Sequence, residues 1–200
     1  MTNHVITPLN RFENFGRLCE LLRPQGIQWH VITDQGATKI IPEEPWIHSY
    51  NMINTDGPFW ARCNASINWF LDRHSLYPGD RYGIMNDDDA YEEGFFEKTD
   101  QFPSECIVVS MKRGNRIPPD TGPERAHGFN TLVAAPENMK IGSVGVEQLL
   151  VSGRILSQCR LPIHICGDGM WIEYIKATQP IVYIPDAFAL FNYLEPGRWD

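Results

Sequence analysis

Three consecutive aspartates, residues 87–89, follow an apolar run and are the residues of this chain best suited to chemistry. Like charges this close repel one another and raise one another's pKa, so a nearby cation would offset the cost of assembling them. If the preceding strand continues through the triplet, Asp87 and Asp89 point to the same side. Carboxylate oxygens suit Mg²⁺ or Mn²⁺, and an ion held in this way commonly bridges the phosphates of a nucleotide. The aspartate triplet therefore predicts a metal-linked nucleotide site.

The sequence also allows two other interpretations of the aspartate triplet to be compared, an acidic turn and an EF-hand loop. Together with Glu92 and Glu93 it also fits a solvated acidic turn that caps the next helix. An EF-hand loop counted from Asp89 has Gly94 at its sixth position, but its third position is Tyr91, which cannot supply the carboxylate required there. The sequence thus argues against an EF-hand and leaves the acidic turn open.

A second candidate group centres on Asp168, which has a glycine on each side. Residues 163–166 are typical of a short strand and residues 170–177 of a helix, so Asp168 is predicted at a strand end with room for a ligand beside it. A carboxylate in that position can act as a general base toward a hydroxyl group. Asp168 also fits a turn residue that caps the helix, and Glu173 is then the substitute base.

The charge balance limits the partners of the chain. Its 200 residues contain 17 Lys and Arg against 25 Asp and Glu, which gives a net charge of −8. Duplex nucleic acid and anionic membrane surfaces are therefore not expected as main partners, because both require a dense basic patch. The apolar runs are also far shorter than the roughly 18–20 residues of a membrane helix, so no membrane span is predicted.

Cysteine usage and missing motifs narrow the class further. The five cysteines are odd in number and form no C-x-x-C pair, which argues against a disulfide framework and a structural zinc site. With no signal-peptide pattern at the start, these features predict a cytoplasmic protein. The phosphate loops of kinases and dehydrogenases and the nucleophile motif of serine hydrolases are missing as well.

The expected elements place the candidate residues at one edge of a sheet. Strands are predicted over residues 4–7, 28–33, 81–85, 106–111, 129–134, 163–166 and 181–184, and helices over residues 12–22, 59–73, 144–151 and 170–177. The initial β-α-β order predicts parallel pairing with a right-handed crossover. We therefore expect an α/β fold, a three-layer α/β/α sandwich around a mixed, mostly parallel sheet, with ligands at the carboxyl ends of the strands.

One domain is expected over residues 1–200, with a nucleotide-binding half (residues 1–100) and an acceptor half (residues 101–200). Residues 36–56 and 114–127 show no readable periodicity and are expected to be loops, the first with at most a short irregular strand.

The order of these pieces resembles the Rossmann-like GT-A class of nucleotide-sugar glycosyltransferases, and within it the inverting glucuronyltransferase type. Sequences of that type have a Thr-Pro start followed by an Arg, a Trp before the second strand, and three aspartates at the DxD position. Here Thr7, Pro8, Arg11, Trp29 and the aspartate triplet match that pattern. The resemblance covers the first half of the chain well and the second half more weakly.

The resemblance implies a nucleotide site built mainly from the first half. Pro8 and the backbone around Thr7 would border the base and ribose, and Asp34 would contact the base. Arg11 would approach the nucleotide. Arg62, in an Ala-Arg-Cys-Asn stretch, would also face the nucleotide, although an exposed helical arginine is an equally simple interpretation.

The resemblance also implies a metal and a catalytic base. Asp89 would ligate Mn²⁺ or Mg²⁺, Asp87 would assist the metal or bind the ribose, and Asp88 would belong to the nucleotide site. Asp168 would be the base, and the glycine-rich residues 142–145 would form the loop against which the acceptor docks. The implied activity is inverting, metal-dependent sugar transfer from a UDP-sugar to a hydroxyl of a glycan or another acceptor.

Two departures from the family pattern keep alternatives open. Gly167 stands where members have the Glu of a Glu-Asp pair, and no histidine follows His164 to serve as a late metal ligand. A non-catalytic sugar-nucleotide-binding protein therefore remains possible. A nucleotidyltransferase also remains, although residues 9–11 contain neither the glycine-rich phosphate loop nor the lysine that such enzymes use. The donor sugar and the acceptor are not readable from the sequence.

Overall fold

The computed structural model describes residues 1–34, 41–52, 57–113 and 131–194, and the side chains of Asp34 and Phe59 fall outside that description. The strands within these residues are β1 (Asn3–Leu9), β2 (Gln28–Asp34), β3 (Ile47–Met52), β4 (Arg81–Ile84), β5 (Ala90–Tyr91), β6 (Cys106–Lys112), β7 (Thr131–Leu132), β8 (Leu149–Ser152) and β9 (Val182–Leu190). The α-helices are α1 (Phe15–Leu22), α2 (Phe59–Arg73), α3 (Phe95–Asp100), α4 (Gly153–Leu156) and α5 (Gly167–Thr178).

The strands form a single mixed sheet in the order β3-β2-β1-β4-β8-β6-β9-β5, with β7 paired to β6. Strands β1 to β4 are mutually parallel, and β8 runs antiparallel to both β4 and β6. Strand β9 is parallel to β6, while β5 and β7 are antiparallel to their neighbours. In the described part of the chain, six strands therefore run one way and three the other, which confirms the expected mixed, mostly parallel sheet.

Helices cover both faces of this sheet. Successive strand residues point to opposite faces, so Ile6 belongs to one apolar cluster and its neighbour Val5 to the other. The cluster around Ile6 includes Ile67 of α2 and Trp171 of α5. The cluster around Val5 includes Leu18 of α1 and the aromatic rings of α3. The three-layer α/β/α sandwich is thus confirmed.

Helix α2 has the bounds that the sequence predicts. Pro58 directly precedes it, and proline lacks the amide hydrogen that a helix start leaves unbonded. Ile67 and Phe70 are buried against the sheet at helical spacing. The helix ends where His74 adopts an extended conformation.

The predicted strand at residues 163–166 is wrong, because this segment forms bends and turns. The amide of His164 donates to the Pro162 carbonyl at 2.9 Å, and the amide of Gly167 donates to the His164 carbonyl at 2.8 Å. These local bonds begin α5 three residues earlier than predicted. Asp168 consequently lies in the first turn of a helix and not at the end of a strand.

The predicted helix at residues 144–151 is also wrong. A short 3-10 turn (Val146–Gln148) leads directly into β8, which is inserted between β4 and β6. The apolar residues of β8 are buried in the middle of the sheet, where long-range pairing outweighs local helical preference.

Other bounds differ from the prediction in smaller ways. Strand β3 lies within the segment expected to be loop or irregular strand, and β9 extends six residues beyond its predicted end at residue 184. Of the predicted strand at 129–134, the described part contains only β7, and the loop at 114–127 lies outside the described residues. Across the described ranges, no helix combines the length and apolarity needed to cross a membrane.

Candidate functional site

The aspartate triplet lies in the turn after β4, beside the end of β1. Asp87 is fully buried, and its Oδ2 accepts hydrogen bonds from the amides of Asn10 and Arg11, each at 2.6 Å. The Asn14 side-chain amide donates to the Asp87 carbonyl at 2.9 Å. Asp87 therefore ties the segment after β1 to the end of β4, as expected where parallel strands finish at one edge of a sheet.

Asp89 is bound to a different element from Asp87. Its Oδ1 accepts from the amide of Asn192 at 2.7 Å, and its Oδ2 accepts from the Asn86 side chain at 3.1 Å. The strand ends at Ile84 and a turn follows, so the premise that a continuing strand would align the side chains of Asp87 and Asp89 is wrong. Burial, reinforced by neighbouring carboxylates, raises the pKa of Asp89 well above its usual range.

Arg11 supplies part of the positive charge that the triplet requires. Its Nη1 atom lies 2.5 Å from Asp88 Oδ2 and its Nε atom lies 3.4 Å from Asp87 Oδ1. Burial acts to lower the pKa of Arg11, but the ion pair with Asp88 outweighs burial and the pKa is raised. The structure therefore joins Arg11 to the triplet, at the edge of the sheet where the sequence predicted a nucleotide.

Glu147 completes a buried acidic cluster that sequence reasoning missed. Its side chain is fully buried, and neither carboxylate oxygen has a hydrogen-bond partner among the described residues. Burial raises the pKa of Glu147 to about 8; its own amide and the charge of Arg113 oppose this shift, while Asp168 and Asp88 reinforce it. Glu147 also raises the pKa of Asp89. The carboxyl groups of Asp88, Asp89, Glu147 and Asp168 are therefore close enough to affect one another's pKa.

Gly145 makes room for the Glu147 side chain. A Cβ atom added at Gly145 would overlap the Glu147 carboxylate, so only glycine allows this arrangement. The sequence carried a signal for the site, because Glu147 and Gln148 interrupt an otherwise apolar run over residues 144–151. Gln148 is buried and donates to the Val109 carbonyl at 2.9 Å. A charged residue inside such a run indicates a buried polar group with a specific role.

Asp168 is half-buried in the first turn of α5, next to the segment that carries Glu147. Burial raises the pKa of Asp168, and a hydrogen bond from the Val146 amide partly opposes that effect. A Cβ atom at Gly169 would lie 2.7 Å from the Ile141 Cα, so the lack of a side chain there lets residues 141–142 approach α5 closely. The glycine-rich residues 142–145 therefore pack beside Asp168.

Glu173 does not share this environment. It forms an ion pair with Lys176 at 3.7 Å. Five residues along an α-helix correspond to a rotation of about 140°, so Glu173 points away from the side of α5 that carries Asp168. The geometry favours Asp168 over Glu173 as a base for this site.

Two of the predicted nucleotide-binding residues are buried in β1. Thr7 is fully buried, and its Oγ1 accepts a hydrogen bond from Trp29 Nε1 at 3.0 Å. Pro8 follows it and is buried as well. Thr7 and Pro8 therefore present almost no surface to a base or ribose in this structure. Asp34 ends β2, and its side chain lies outside the described residues.

Arg62 lies in the first turns of α2, close to the same edge of the sheet. The adjacent Cys63 sulfur is 3.6 Å from the Asn10 side-chain nitrogen. Burial raises the pKa of the Cys63 thiol, and Asp87 adds to the effect while Arg62 opposes it. The Arg62 Nε atom is buried and has no hydrogen-bond partner within the described ranges. Cys63 thus brings this part of α2 close to the triplet, and the adjacent Arg62 carries an unsatisfied buried donor.

The donor atoms of the acidic cluster match a hard divalent cation in type. Glu147 has two unpartnered buried oxygens, and the Oδ1 atom of Asp87 also has no hydrogen bond from any described residue. However, no group of three or more His, Cys, Asp and Glu side chains in the described part of the chain is arranged to hold a metal ion. The chemistry of the cluster therefore fits Mg²⁺ or Mn²⁺, but its side chains do not form a closed coordination shell by themselves.

Comparisons with known proteins establish the fold. No protein-family profile and no curated protein matches the chain. The structure of S. aureus TarS 1-349, which has a GT-A fold, is similar with a TM-score of 0.54 and 13% identity, covering 96% of this chain and 58% of that one. The structure of 4-diphosphocytidyl-2C-methyl-D-erythritol synthase gives a TM-score of 0.52 and 8% identity, covering 93% and 90%. The chain therefore has a Rossmann-like α/β fold shared by GT-A and nucleotidyltransferase structures.

Proposed function

We propose that this chain is a metal-dependent, inverting glycosyltransferase that moves a sugar from a UDP-sugar to a hydroxyl of a glycan or another acceptor. The observation that carries the proposal is the buried acidic cluster of the triplet, Glu147 and Asp168 at the carboxyl ends of the strands. Within this cluster, neither carboxylate oxygen of the buried Glu147 has a hydrogen-bond partner among the described residues. Such a buried carboxylate is costly for stability, and that cost is typical of sites that bind a ligand. The fold similarity to TarS agrees with this interpretation.

The nucleotide would lie along the segment after β1. Pro8 and the backbone around Thr7 would border the base and ribose, and Asp34 would contact the base. Arg11 and Arg62 would face the diphosphate, because Arg11 already lies over the triplet and Arg62 has an unsatisfied buried donor. A diphosphate oxygen can replace the Asp88 carboxylate as the partner of Arg11, since both are anionic acceptors.

Mg²⁺ or Mn²⁺, held by Asp89 with Asp87, would neutralise the charge that develops on the leaving phosphate. The protein's own groups prepare this position. Arg11 pairs with Asp87 and Asp88 and orients them, and the Asn192 amide orients Asp89. The phosphates of the donor would supply the remaining ligands that the side chains lack.

Asp168 would remove the proton from the acceptor hydroxyl. The oxygen then bonds to C1 of the sugar while the C1–phosphate bond breaks, the electron pair leaves with the nucleoside diphosphate, and the proton stays on Asp168. A single displacement of this kind inverts the configuration at C1. Burial raises the pKa of Asp168, which makes it a stronger base than an exposed aspartate.

A nucleotidyltransferase is the second candidate. The synthase structure and this chain cover each other almost completely, at 90% and 93%. The loop after β1 argues against this activity, because residues 9–11 lack both a glycine-rich phosphate loop and a lysine. The product separates the two activities, since nucleotidyl transfer releases pyrophosphate and sugar transfer releases UDP.

Calorimetric titration of UDP tests the donor site. We expect saturable binding in Mn²⁺, at least about tenfold weaker binding in EDTA, and a preference for UDP over GDP. Asp72→Ala is a suitable control, because Asp72 is exposed and paired with Arg160 on the surface. If neither nucleotide binds to the folded protein, the proposal is contradicted and the triplet is best interpreted as a solvated acidic turn.

A further inference from the structure

A cavity of about 590 Å³ lies at the opposite end of the sheet from the acidic cluster. It opens at the amino-terminal ends of β1, β2 and β4, just beyond the end of α2. His4 lines this cavity, whereas Asn10 contacts Asp87 at the other end. The six residue-to-residue steps from His4 to Asn10 along an extended chain correspond to about 20 Å. The cavity is therefore separate from the proposed transferase site, and the inference drawn from it does not depend on that function.

A chain of hydrogen bonds crosses the wall of this cavity. Asp80 Oδ2 lies 3.3 Å from His4 Nε2, and His4 Nδ1 lies 2.9 Å from His30 Nε2. His30 Nδ1 then lies 3.1 Å from the Tyr50 hydroxyl. These residues come from β1, β2, β3 and the turn before β4. Four segments distant in sequence thus share one continuous network.

The direction of every bond in this network follows from the protonation states. Bonds from the Thr2 amide and from His4 outweigh burial and lower the pKa of Asp80, so its carboxylate only accepts. Burial lowers the pKa of His4 and lowers that of His30 to about 3, so both imidazoles are neutral. His4 must then donate to Asp80, His30 to His4, and Tyr50 to His30.

This direction fixes what Tyr50 can offer to a ligand. Its only hydrogen is used on His30, so the hydroxyl oxygen can only accept a further bond. Other lining groups can donate as well as accept. The His74 ring nitrogens have no hydrogen-bond partner within the described residues. The Gln28 amide nitrogen is not used in the bond that Gln28 Oε1 accepts from His48 at 2.8 Å. The cavity therefore offers a mixture of donors and acceptors.

Aromatic rings form the rest of the wall. The His74 ring packs 4.5 Å from Tyr50 and 4.8 Å from Phe70, measured between ring centroids. Tyr77 is 69% exposed at the rim, which leaves its ring accessible. Asp80 is the one acidic residue of the described lining, which contains no lysine or arginine. An anionic ligand would therefore meet a carboxylate and no lysine or arginine side chain among these lining residues.

We propose that this cavity binds a neutral saccharide. Sugar hydroxyls both donate and accept, which matches the mixed polar groups of the wall. The C–H faces of a sugar ring pack against the electron-rich faces of aromatic rings such as Tyr77. The volume falls in the range of about 300–1,000 Å³ typical of small-ligand sites.

Calorimetric titration with lactose, maltose and cellobiose at pH 7.5 tests the proposal. We expect saturable binding of at least one disaccharide. Tyr77→Ala and Tyr50→Phe should each weaken it about tenfold or more, the first by removing the exposed ring and the second by removing the acceptor. Tyr77 is exposed and Tyr50→Phe keeps the ring, so both variants should fold, which circular dichroism can verify. Tyr174→Ala, an exposed tyrosine on α5, is the matched control and should leave binding unchanged.

Three results would overturn the proposal. The first is absence of saturable binding for all three disaccharides. The second is binding that Tyr77→Ala and Tyr50→Phe leave unchanged, which would place the sugar elsewhere. The third is tighter binding of uridine or inorganic phosphate than of any disaccharide with the same dependence on Tyr77, which would assign the cavity to a nucleobase or an anion.

Discussion

The two ends of the central strands both bury ionisable side chains, but only one end satisfies their hydrogen bonds. At the amino-terminal end, His4 and His30 each use both ring nitrogens in a continuous network. At the carboxyl end, both oxygens of Glu147 lack a partner within the described residues. A satisfied network can persist as structure, whereas an unsatisfied carboxylate reduces stability and is retained where a ligand supplies the missing charge.

The pKa shifts at the two ends also have opposite consequences. Burial raises the pKa of Glu147 to about 8 and lowers the pKa of His30 to about 3. Both groups are therefore mostly neutral near pH 7 in the folded protein. Raising the pH ionises Glu147, which is costly where it is buried. Lowering the pH favours unfolding, because the His30 imidazole takes up a proton far more readily in the unfolded chain than in the fold. The acidic cluster should consequently respond to alkali and the histidine network to acid.

The largest expected effect is the loss of turnover in Asp168→Asn. Because amide nitrogen cannot remove a proton, turnover of the UDP-sugar should fall by about 10²–10⁴-fold while UDP affinity changes by less than about threefold. Steady-state assay of UDP release measures the first quantity and calorimetry the second. Glu173→Gln, on the other side of the same helix, is the control and should retain turnover. Equal losses in the two variants would remove the special role of Asp168.

The next effect concerns the metal-linked part of nucleotide binding. Asp89→Asn keeps an acceptor for the Asn192 amide but removes the negative charge. UDP affinity in Mn²⁺ should fall at least about tenfold, while the weak binding in EDTA should be unchanged. Calorimetry with and without metal measures both. Metal-dependent binding that persists in the folded variant would show that Asp89 is not a metal ligand.

An effect of opposite sign, on stability and not on binding, is expected for Glu147→Gln. The raised pKa of Glu147 means that its contribution to stability is present below pH 4.5 and is lost as the pH rises through about 8. Glutamine resembles the protonated acid and cannot ionise, so the variant should be about 2–4 kcal/mol more stable than wild type at pH 8. Urea unfolding at pH 6 and pH 8 measures this difference, with Glu173→Gln as control. A variant less stable than wild type at pH 8 would mean that the Glu147 carboxylate is satisfied after all.

The smallest effect is the acid response of the histidine network. The lowered pKa of His30 means that its full contribution to stability is present above pH 6.5 and is lost as the pH falls toward 3. Wild type should lose about 1–2 kcal/mol of unfolding free energy from this group between pH 7.5 and pH 5. Urea unfolding at the two pH values should show a smaller loss of unfolding free energy in His30→Gln than in wild type. His164→Gln is the control, because His164 is exposed and lies outside the network, and it should lose as much as wild type. If His30→Gln loses as much stability as wild type, His30 is not a buried neutral imidazole.

Much of the fold could be predicted because its signals are local. The helical spacing of apolar residues and the preceding proline defined α2, and the β-α-β order predicted parallel pairing around β1. The aspartate triplet could be placed at a strand end because a single apolar run precedes it. The geometry within the triplet could not be predicted. The turn after Ile84 is stabilised by contacts with Asn10 and Asn192, which are far away in the sequence.

The acidic cluster and the histidine network depend on long-range contacts. Glu147 meets Asp168 because β8 is inserted between β4 and β6, and the apolar run of β8 is compatible with either helix or strand when read alone. In the same way, His4 and His30 are 26 residues apart and meet only through the pairing of β1 with β2. The residue types could be recognised from the sequence, but which of them lie next to one another in the fold could not.

The most direct test of the central claim is the product formed in Mn²⁺ from two sets of substrates. One set is a panel of UDP-sugars with a hydroxyl acceptor or water, assayed for UDP. The other is CTP or UTP with a sugar phosphate, assayed for pyrophosphate. We predict release of UDP from at least one UDP-sugar, loss of that release in Asp168→Asn, and no pyrophosphate. Pyrophosphate release, or UDP binding without release of either product, would contradict a glycosyltransferase.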